Sequence, residues 1–119
     1  MRTDRGDPRL EEGRALFNAG RFFEAHEKWE EVWLAETGPA KRLLQGLIQI
    51  AAGFLKAESG SFGAAARLLE AGVAKLESAG APERLAVFAA EVRRLTEMPH
   101  FLLAERASRP LVPPLDGVK

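Results

Sequence analysis

The sequence contains no cysteine among its 119 residues. Disulfides, thiolate zinc sites, iron–sulfur clusters and cysteine nucleophiles are therefore excluded within this chain. Net charge is also absent, because 17 Lys and Arg residues balance 17 Asp and Glu residues. A dedicated nucleic-acid-binding protein normally carries an excess of basic residues on one face, so no nucleic-acid partner is expected.

Long hydrophobic runs are missing as well. The longest, Leu43 to Leu55, is interrupted by Gln45 and Gln49. It is shorter than the ~20 apolar residues that a bilayer-spanning helix needs. The stretch from Met1 to Pro8 is charged and has no apolar segment behind it, so no signal peptide is expected. We therefore expect a cytoplasmic protein without a membrane partner.

Helical periodicity runs through most of the chain. No stretch alternates apolar and polar residues as a half-buried strand does, so we predict no sheet. The expected fold is all-α, a single compact bundle of about five helices. We place one helical domain at residues 1–107. The proline-rich tail, residues 108–119, is predicted to be either disordered or laid across the surface through Leu111, Val112 and Leu115.

Caps, glycines and prolines set the helix boundaries. Asp7-Pro8 is a typical helix start, and Gly20 supplies a left-handed residue at the end of the first helix. The third helix is apolar around most of its circumference, which is typical of a buried central helix. Its Gly46 and Gly53 permit a neighbouring helix to approach closely. The predicted helices cover about 8–18, 22–36, 40–59, 63–78 and 83–98, with one or two further turns over 101–107.

A weak internal repeat relates the two halves of the chain. Gly20-Arg-Phe22 aligns with Gly60-Ser-Phe62, about 40 residues later, and each copy reads as helix, glycine turn, helix. These units resemble tetratricopeptide-type helical pairs, although the period of those repeats is about 34 residues. We interpret them as two stacked helical hairpins, since two copies are too few for a solenoid.

Both tryptophans and one of the two histidines lie on the second predicted helix. At 100° per residue, His26 falls inside an aromatic stripe. Glu24 points away from it. The stripe is formed by Phe22, Trp29 and Trp33, and its shoulder carries Phe23, Glu27, Glu30 and Leu34.

The run from His26 to Glu30 is comparable with the zinc motif H-E-x-x-H, but Glu30 replaces the second histidine. A catalytic metal would need a third ligand, and only His100 or a carboxylate could supply it. Glu97-x-x-His100 has the spacing of a di-iron ligand pair, but it occurs once and Pro99 interrupts it. A metal is therefore disfavoured, and no cofactor is predicted.

His26 has two readings. In the first interpretation, His26 is a core histidine bonded to a partner such as Glu30 or Gln49, because buried polar groups are nearly always paired. Alternatively, these groups converge in a small wet pocket between the second and third helices, where a histidine and a carboxylate act as a general base pair. Trp29 and Trp33 are predicted to be core residues, with a role as pocket walls as the alternative. The catalytic candidates are His26, Glu27 and Glu30.

The C-terminal third is locally basic. Glutamates interleave with the arginines, so we predict a solvated, ion-paired face rather than an anion site. The arginines are Arg84, Arg93, Arg94, Arg106 and Arg109, and the glutamates are Glu83, Glu91, Glu97 and Glu105.

Several motifs together resemble the signature of a small bacterial and archaeal family, domain of unknown function 309. They are Phe17-Asn-Ala-Gly20, Phe23-Glu-Ala-His-Glu27, Trp29-Glu30, Trp33 and Leu44-Gln-Gly-Leu-Ile-Gln49. The resemblance extends over about Phe17 to Leu76. It implies an all-helical bundle, brings no established activity, and implies that the polar motif residues form a shared site. With the tryptophans, the candidate ligand-binding residues are Glu24, His26, Glu27, Trp29, Glu30, Trp33, Gln45 and Gln49.

Three hypotheses for the function follow. The first, which we favour, is a small binding or interaction protein whose polar cluster is structural or binds a small ligand, with a protein partner as the other possible occupant. The second is a hydrolase-type enzyme that uses His26 with Glu27 or Glu30, with or without a metal. The missing motif histidine disfavours it. The third is a scaffold of helical hairpins that binds a partner or forms a homodimer.

Overall fold

The computed structural model describes residues 7–99, 103, 105 and 109–115. Five helices are present, and none of the described residues lies in a strand. The prediction of an all-α bundle is therefore confirmed. Each helix packs against the next one along the chain, so α3 lies between α2 and α4. The helices are α1 (Pro8–Asn18), α2 (Phe22–Ala35), α3 (Gly38–Glu58), α4 (Phe62–Ser78) and α5 (Glu83–Thr96).

The helix starts follow from local chemistry. The Asp7 carboxylate accepts a hydrogen bond from the backbone N–H of Arg9 at 2.9 Å, as the cap prediction requires. Helix α3 begins at Gly38 rather than Ala40, because Pro39 lies in its first turn instead of breaking the chain. The further turns predicted over 101–107 lie outside the described residues, except for Leu103 and Glu105.

The two hairpin turns have the same geometry. Gly20 and Gly60 adopt φ angles of 83° and 84°, which favour glycine. The next residue in each turn donates its backbone N–H to a carbonyl five positions earlier, Arg21 to Leu16 at 2.8 Å and Ser61 to Lys56 at 2.9 Å. The hairpins thus share a turn, and their resemblance to tetratricopeptide pairs stays a prediction.

Helix α3 is the central helix, as predicted, and most of its residues between Leu43 and Ala57 are buried. It approaches α4 most closely through glycines: a Cβ added to Gly46 would lie 2.8 Å from the carbonyl oxygen of Gly72. Phe17 joins the ends of the bundle, since its ring centroid lies 5.9 Å from those of both Phe54 on α3 and Phe88 on α5. No helix in the described part of the chain combines the length and hydrophobicity needed to cross a bilayer.

Part of the proline-rich tail lies on the bundle. Residues 109–115 run beside α1, and Val112 and Leu115 are buried within the core. Leu111, which was expected to share that role, is 66% exposed. The division of the chain at residue 107 stays a prediction.

Arg109 departs from the predicted solvated face. Its side chain is only 6% exposed and pairs with Glu58 at 3.0 Å. The guanidinium carbon lies 5.1 Å from the ring centroid of Phe22 and 5.4 Å from that of Phe54. Arginine suits this position because its planar, weakly hydrated head stacks on aromatic rings while it donates hydrogen bonds. By contrast, Arg93 forms an exposed pair of the predicted kind with Glu77.

Candidate functional site

Trp29 fixes α2 against α1. Its side chain is fully buried, and its Nε1–H donates to the carbonyl oxygen of Leu10 at 3.1 Å. The indole fills the space beside Gly13, where an added Cβ would lie 2.4 Å from Nε1. Trp29 is therefore a core residue whose one polar group is paired.

The buried face of α2 is rotated relative to the predicted aromatic stripe. Ala25 and Val32 are buried beside Phe22 and Trp29. His26 and Trp33 consequently lie at the edge of that face and are only partly buried. The shoulder is exposed, and it comprises Phe23, Glu27, Glu30 and Leu34.

A small cleft lies between α2 and α3. Its volume is about 140 Å³, and we call it the α2–α3 cleft. It brings together four of the predicted site residues, Glu30, Trp33, Gln45 and Gln49. Ile48 also lines the cleft and was not predicted. Its position three residues after Gln45 puts Ile48 on the same side of α3.

Three buried polar atoms in the described residues have no hydrogen-bond partner. They are Nδ1 of His26, Nε1 of Trp33 and Oε1 of Gln49, and all three belong to predicted site residues. The expected bond from His26 to Glu30 or Gln49 is not formed. Trp33 and Gln49 line the α2–α3 cleft, whereas His26 does not. Because native structures leave few buried polar atoms unpaired, the two unpaired atoms of the cleft residues need a physical explanation.

Lys41 holds one face of Trp33. Its Nζ lies 4.3 Å from the centroid of the indole ring, an arrangement that contributes about 0.5–1 kcal/mol at a partly exposed site. Lys41 was not predicted. The sequence contains a pattern that could have identified it, because Lys41 precedes Gln45 by one helical turn and therefore lies on the same face of α3.

Four of the predicted site residues do not line the α2–α3 cleft, namely Glu24, His26, Glu27 and Trp29. The predicted convergence of His26 with Glu30 and Gln49 in one pocket is therefore not found. Glu24 accepts a hydrogen bond from Arg21 Nε at 2.9 Å at the start of α2. It points away from the aromatic stripe, as predicted from its helical position. This hydrogen bond, followed by the attraction between the two charges, raises the pKa of Arg21. Glu27 is exposed and absent from the cleft lining.

Among the described residues, no three His, Asp or Glu side chains lie close enough together to hold a metal ion. His26 and Glu30 are one turn apart on α2, but no further described ligand joins them. His100, the third ligand considered from the sequence, lies outside the described residues.

The structure is a small helical bundle with a cleft between two successive helices. A family model described as "Domain of unknown function (DUF309)" matches residues 10–68, just under half of the chain. The match extends from α1 into α4 and includes every predicted site residue. The resemblance seen in the sequence motifs is thereby confirmed. No curated protein and no solved structure gives a significant match.

Proposed function

We propose that this protein binds a small polar ligand in the α2–α3 cleft. The observation that carries the proposal is that two residues lining this cleft, Trp33 and Gln49, each have a buried side-chain atom without a hydrogen-bond partner. Leaving such an atom without a partner costs about 1–3 kcal/mol, and a bound molecule that pairs with it recovers that free energy.

The volume of the cleft limits the size of the ligand. At about 140 Å³ it has the capacity of an engineered cavity that admits a molecule the size of benzene. Because the cleft is half open, this volume limits the part of a ligand that enters it. That part is therefore a small molecule or the end of a side chain from a partner.

The unpaired atoms specify the polar groups of the ligand. Trp33 offers an N–H donor and needs an acceptor, whereas the oxygen of Gln49 needs a donor. A neutral amide group supplies both a carbonyl oxygen and an N–H. Glu30 at the exposed rim favours an N–H donor over a carboxylate, because like charges repel. We therefore assign a primary or secondary amide as the ligand group.

Nuclear magnetic resonance tests this directly, because the chain has only two indole N–H groups. Titration with acetamide or N-methylacetamide should shift the indole signal of Trp33. The signal of Trp29 should stay in place, since its N–H is already bonded to Leu10. Acetate matches acetamide in size but carries a negative charge that Glu30 repels, so it should shift neither signal. Methylammonium has no acceptor for the Trp33 N–H and should also shift neither signal.

Two variants test whether acetamide binds in the α2–α3 cleft. Gln49→Leu removes the unpaired acceptor at nearly constant volume and should weaken acetamide binding roughly tenfold. Glu27→Gln alters an exposed residue outside the cleft and should leave binding unchanged. The proposal is wrong if neither amide moves the Trp33 signal at millimolar concentrations, or if Gln49→Leu binds them as the parent protein does.

A second candidate is hydrolysis by general base catalysis, and the unpaired Nδ1 of His26 is the observation that favours it. Glu30 lies one turn away on α2, and both Glu30 and Glu27 are exposed. An enzyme of this kind would hydrolyse p-nitrophenyl acetate catalytically, and His26→Ala would abolish turnover while Glu27→Gln would not. Equal rates for the parent protein and His26→Ala would exclude this candidate.

A further inference from the structure

Residues 109–115, which we call the C-terminal strap, are held on α1 through their main chain. Asn18 contacts both polar groups of Val112, accepting its N–H at 2.8 Å and donating to its carbonyl oxygen at 3.1 Å. Arg14 also donates to that oxygen at 2.8 Å. Glu11 accepts the N–H of Leu115 at 2.8 Å. Helix α1 thus recognises an extended backbone, as a sheet edge recognises an added strand.

The strap itself has the features of a peptide ligand. Val112 and Leu115, three positions apart, are each 1% exposed and act as apolar anchors. Three of the seven residues, Pro110, Pro113 and Pro114, have no N–H that needs a partner, and their rings fix φ in advance. The segment therefore loses little conformational entropy when it docks.

The opposite side of the strap faces α5 and fits it loosely. An open cleft of about 260 Å³ lies there between strap residues Leu111 and Pro113 and the side of α5 that carries Val87. Leu111 and Val87 are 66% and 54% exposed. The strap thus leaves apolar surface on α5 that a larger side chain at position 111 would cover.

We propose that the groove between α1 and α5 is a binding site for extended, proline-containing peptides with apolar residues three positions apart. The strap occupies this site within the chain, and a partner segment of the same chemistry displaces it. The tether gives the strap an effective concentration on the order of millimolar, so a partner must fit the groove better than the strap does. The uncovered surface beside Leu111 provides the room for that better fit. This site is distinct from the α2–α3 cleft.

Fluorescence anisotropy with a labelled peptide of the sequence 109–115 tests the proposal on the full chain. In the variant Val112→Asp, a carboxylate replaces the apolar anchor and releases the strap. The peptide should bind this variant at least tenfold more tightly than the parent protein. A peptide carrying Leu111→Trp should bind more tightly still, whereas one carrying Val112→Asp and Leu115→Asp should not bind.

Changes on α1 identify the groove as the binding site. Adding Asn18→Ala to the Val112→Asp chain removes two hydrogen bonds to the peptide backbone and should weaken binding roughly tenfold. Glu12→Gln in the same background is the control, because Glu12 is exposed and pairs with Lys28. The proposal is overturned if the folded Val112→Asp chain does not bind the peptide. It is also overturned if this chain binds the peptide carrying Val112→Asp and Leu115→Asp equally well.

The folding of Val112→Asp and the oligomeric state of the parent protein also test the proposed groove. If Val112→Asp loses helical circular dichroism, the parent peptide should restore it, and a failure to restore it counts against the site. Light scattering of the parent protein should report a monomer at every concentration. A dimer that the peptide dissociates would show instead that the groove takes the strap of a second copy, which would overturn the assignment to a different partner.

Discussion

Gly46 and Gly72 bring the backbones of α3 and α4 into direct contact. A Cβ on Gly46 would lie 2.8 Å from the carbonyl oxygen of Gly72, and one on Gly72 would lie 2.6 Å from the carbonyl oxygen of Gly46. The contact cannot be relieved by a change of side-chain rotamer, because the atoms that meet belong to the main chain. The crossing therefore fixes the position of the helix that carries Gln45 and Gln49.

The first prediction concerns this crossing. Gly72→Ala should lower the free energy of unfolding by about 3 kcal/mol, because the overpacking outweighs the gain in helix propensity. Gly63→Ala is the matched control, since its Cβ would meet only the end of Arg67 at 3.7 Å. That change should stabilise the protein by up to about 1 kcal/mol. Urea unfolding measures both, and an equal effect of the two substitutions would contradict the contact described.

The same substitution should destabilise the protein at Trp29 and change its stability little at Trp33. Trp29→Phe removes a paired N–H and leaves space in the core, so it should cost about 2 kcal/mol. Trp33→Phe removes an unpaired buried N–H and should change stability by no more than about 0.5 kcal/mol. Thermal unfolding of the two variants checks this. A larger loss for Trp33→Phe would mean that its N–H has a partner in the free protein.

Arg109 should contribute more to stability than an exposed arginine. Arg109→Ala removes the pairing with Glu58 and the stacking over Phe22 and Phe54, and should cost about 2 kcal/mol. Arg109→Lys keeps the charge but loses the planar head, so its cost should be intermediate. Arg93→Ala, which breaks an exposed pair, should cost at most about 0.5 kcal/mol in the same denaturant titration.

Glu24 should be nearly neutral for stability despite its good geometry with Arg21. Both side chains are substantially exposed, so Glu24→Gln should change the free energy of unfolding by less than about 0.5 kcal/mol. The pKa of Arg21 is raised, so its contribution is fully present below its ordinary pKa and is lost only as the pH rises through the raised value. Stability measured across the neutral range should therefore show no step due to Arg21. A marked loss in Glu24→Gln would assign Glu24 a role beyond this pair.

The sequence was sufficient to predict the helices because their signals are local. The cap at Asp7 and the left-handed Gly20 need no knowledge of distant contacts. The buried positions of α5, such as Leu85 and Phe88, follow from a helical repeat with one apolar face. The start of α3 was predicted at residue 40 instead of Gly38, because proline both ends helices and occupies their first turn, and only the backbone shows which of the two Pro39 does.

The candidate site was predicted less completely, because it depends on which neighbour covers each face of α2. The predicted buried face was centred on the large aromatics Phe22, Trp29 and Trp33, whereas the actual contact uses the small Ala25 as well as Trp29. The resulting rotation puts Trp33 at the edge of the α2–α3 cleft and leaves Glu27 exposed. No local pattern indicates that Trp29 bonds to Leu10 or that Arg109 lies over Phe22, since the partners are far apart in sequence.

The strap also determines how the chain closes on itself. Its hydrogen bonds join residues 94 and 104 positions apart, whereas the main helix contacts join successive helices. Contacts between neighbours close short loops and form early in folding, so we expect the helical hairpins to assemble before the strap docks. Once docked, the strap ties α1 to residues 109–115, so that α1 and the strap do not open independently. A molecule that displaced the strap would therefore loosen α1 at the same time.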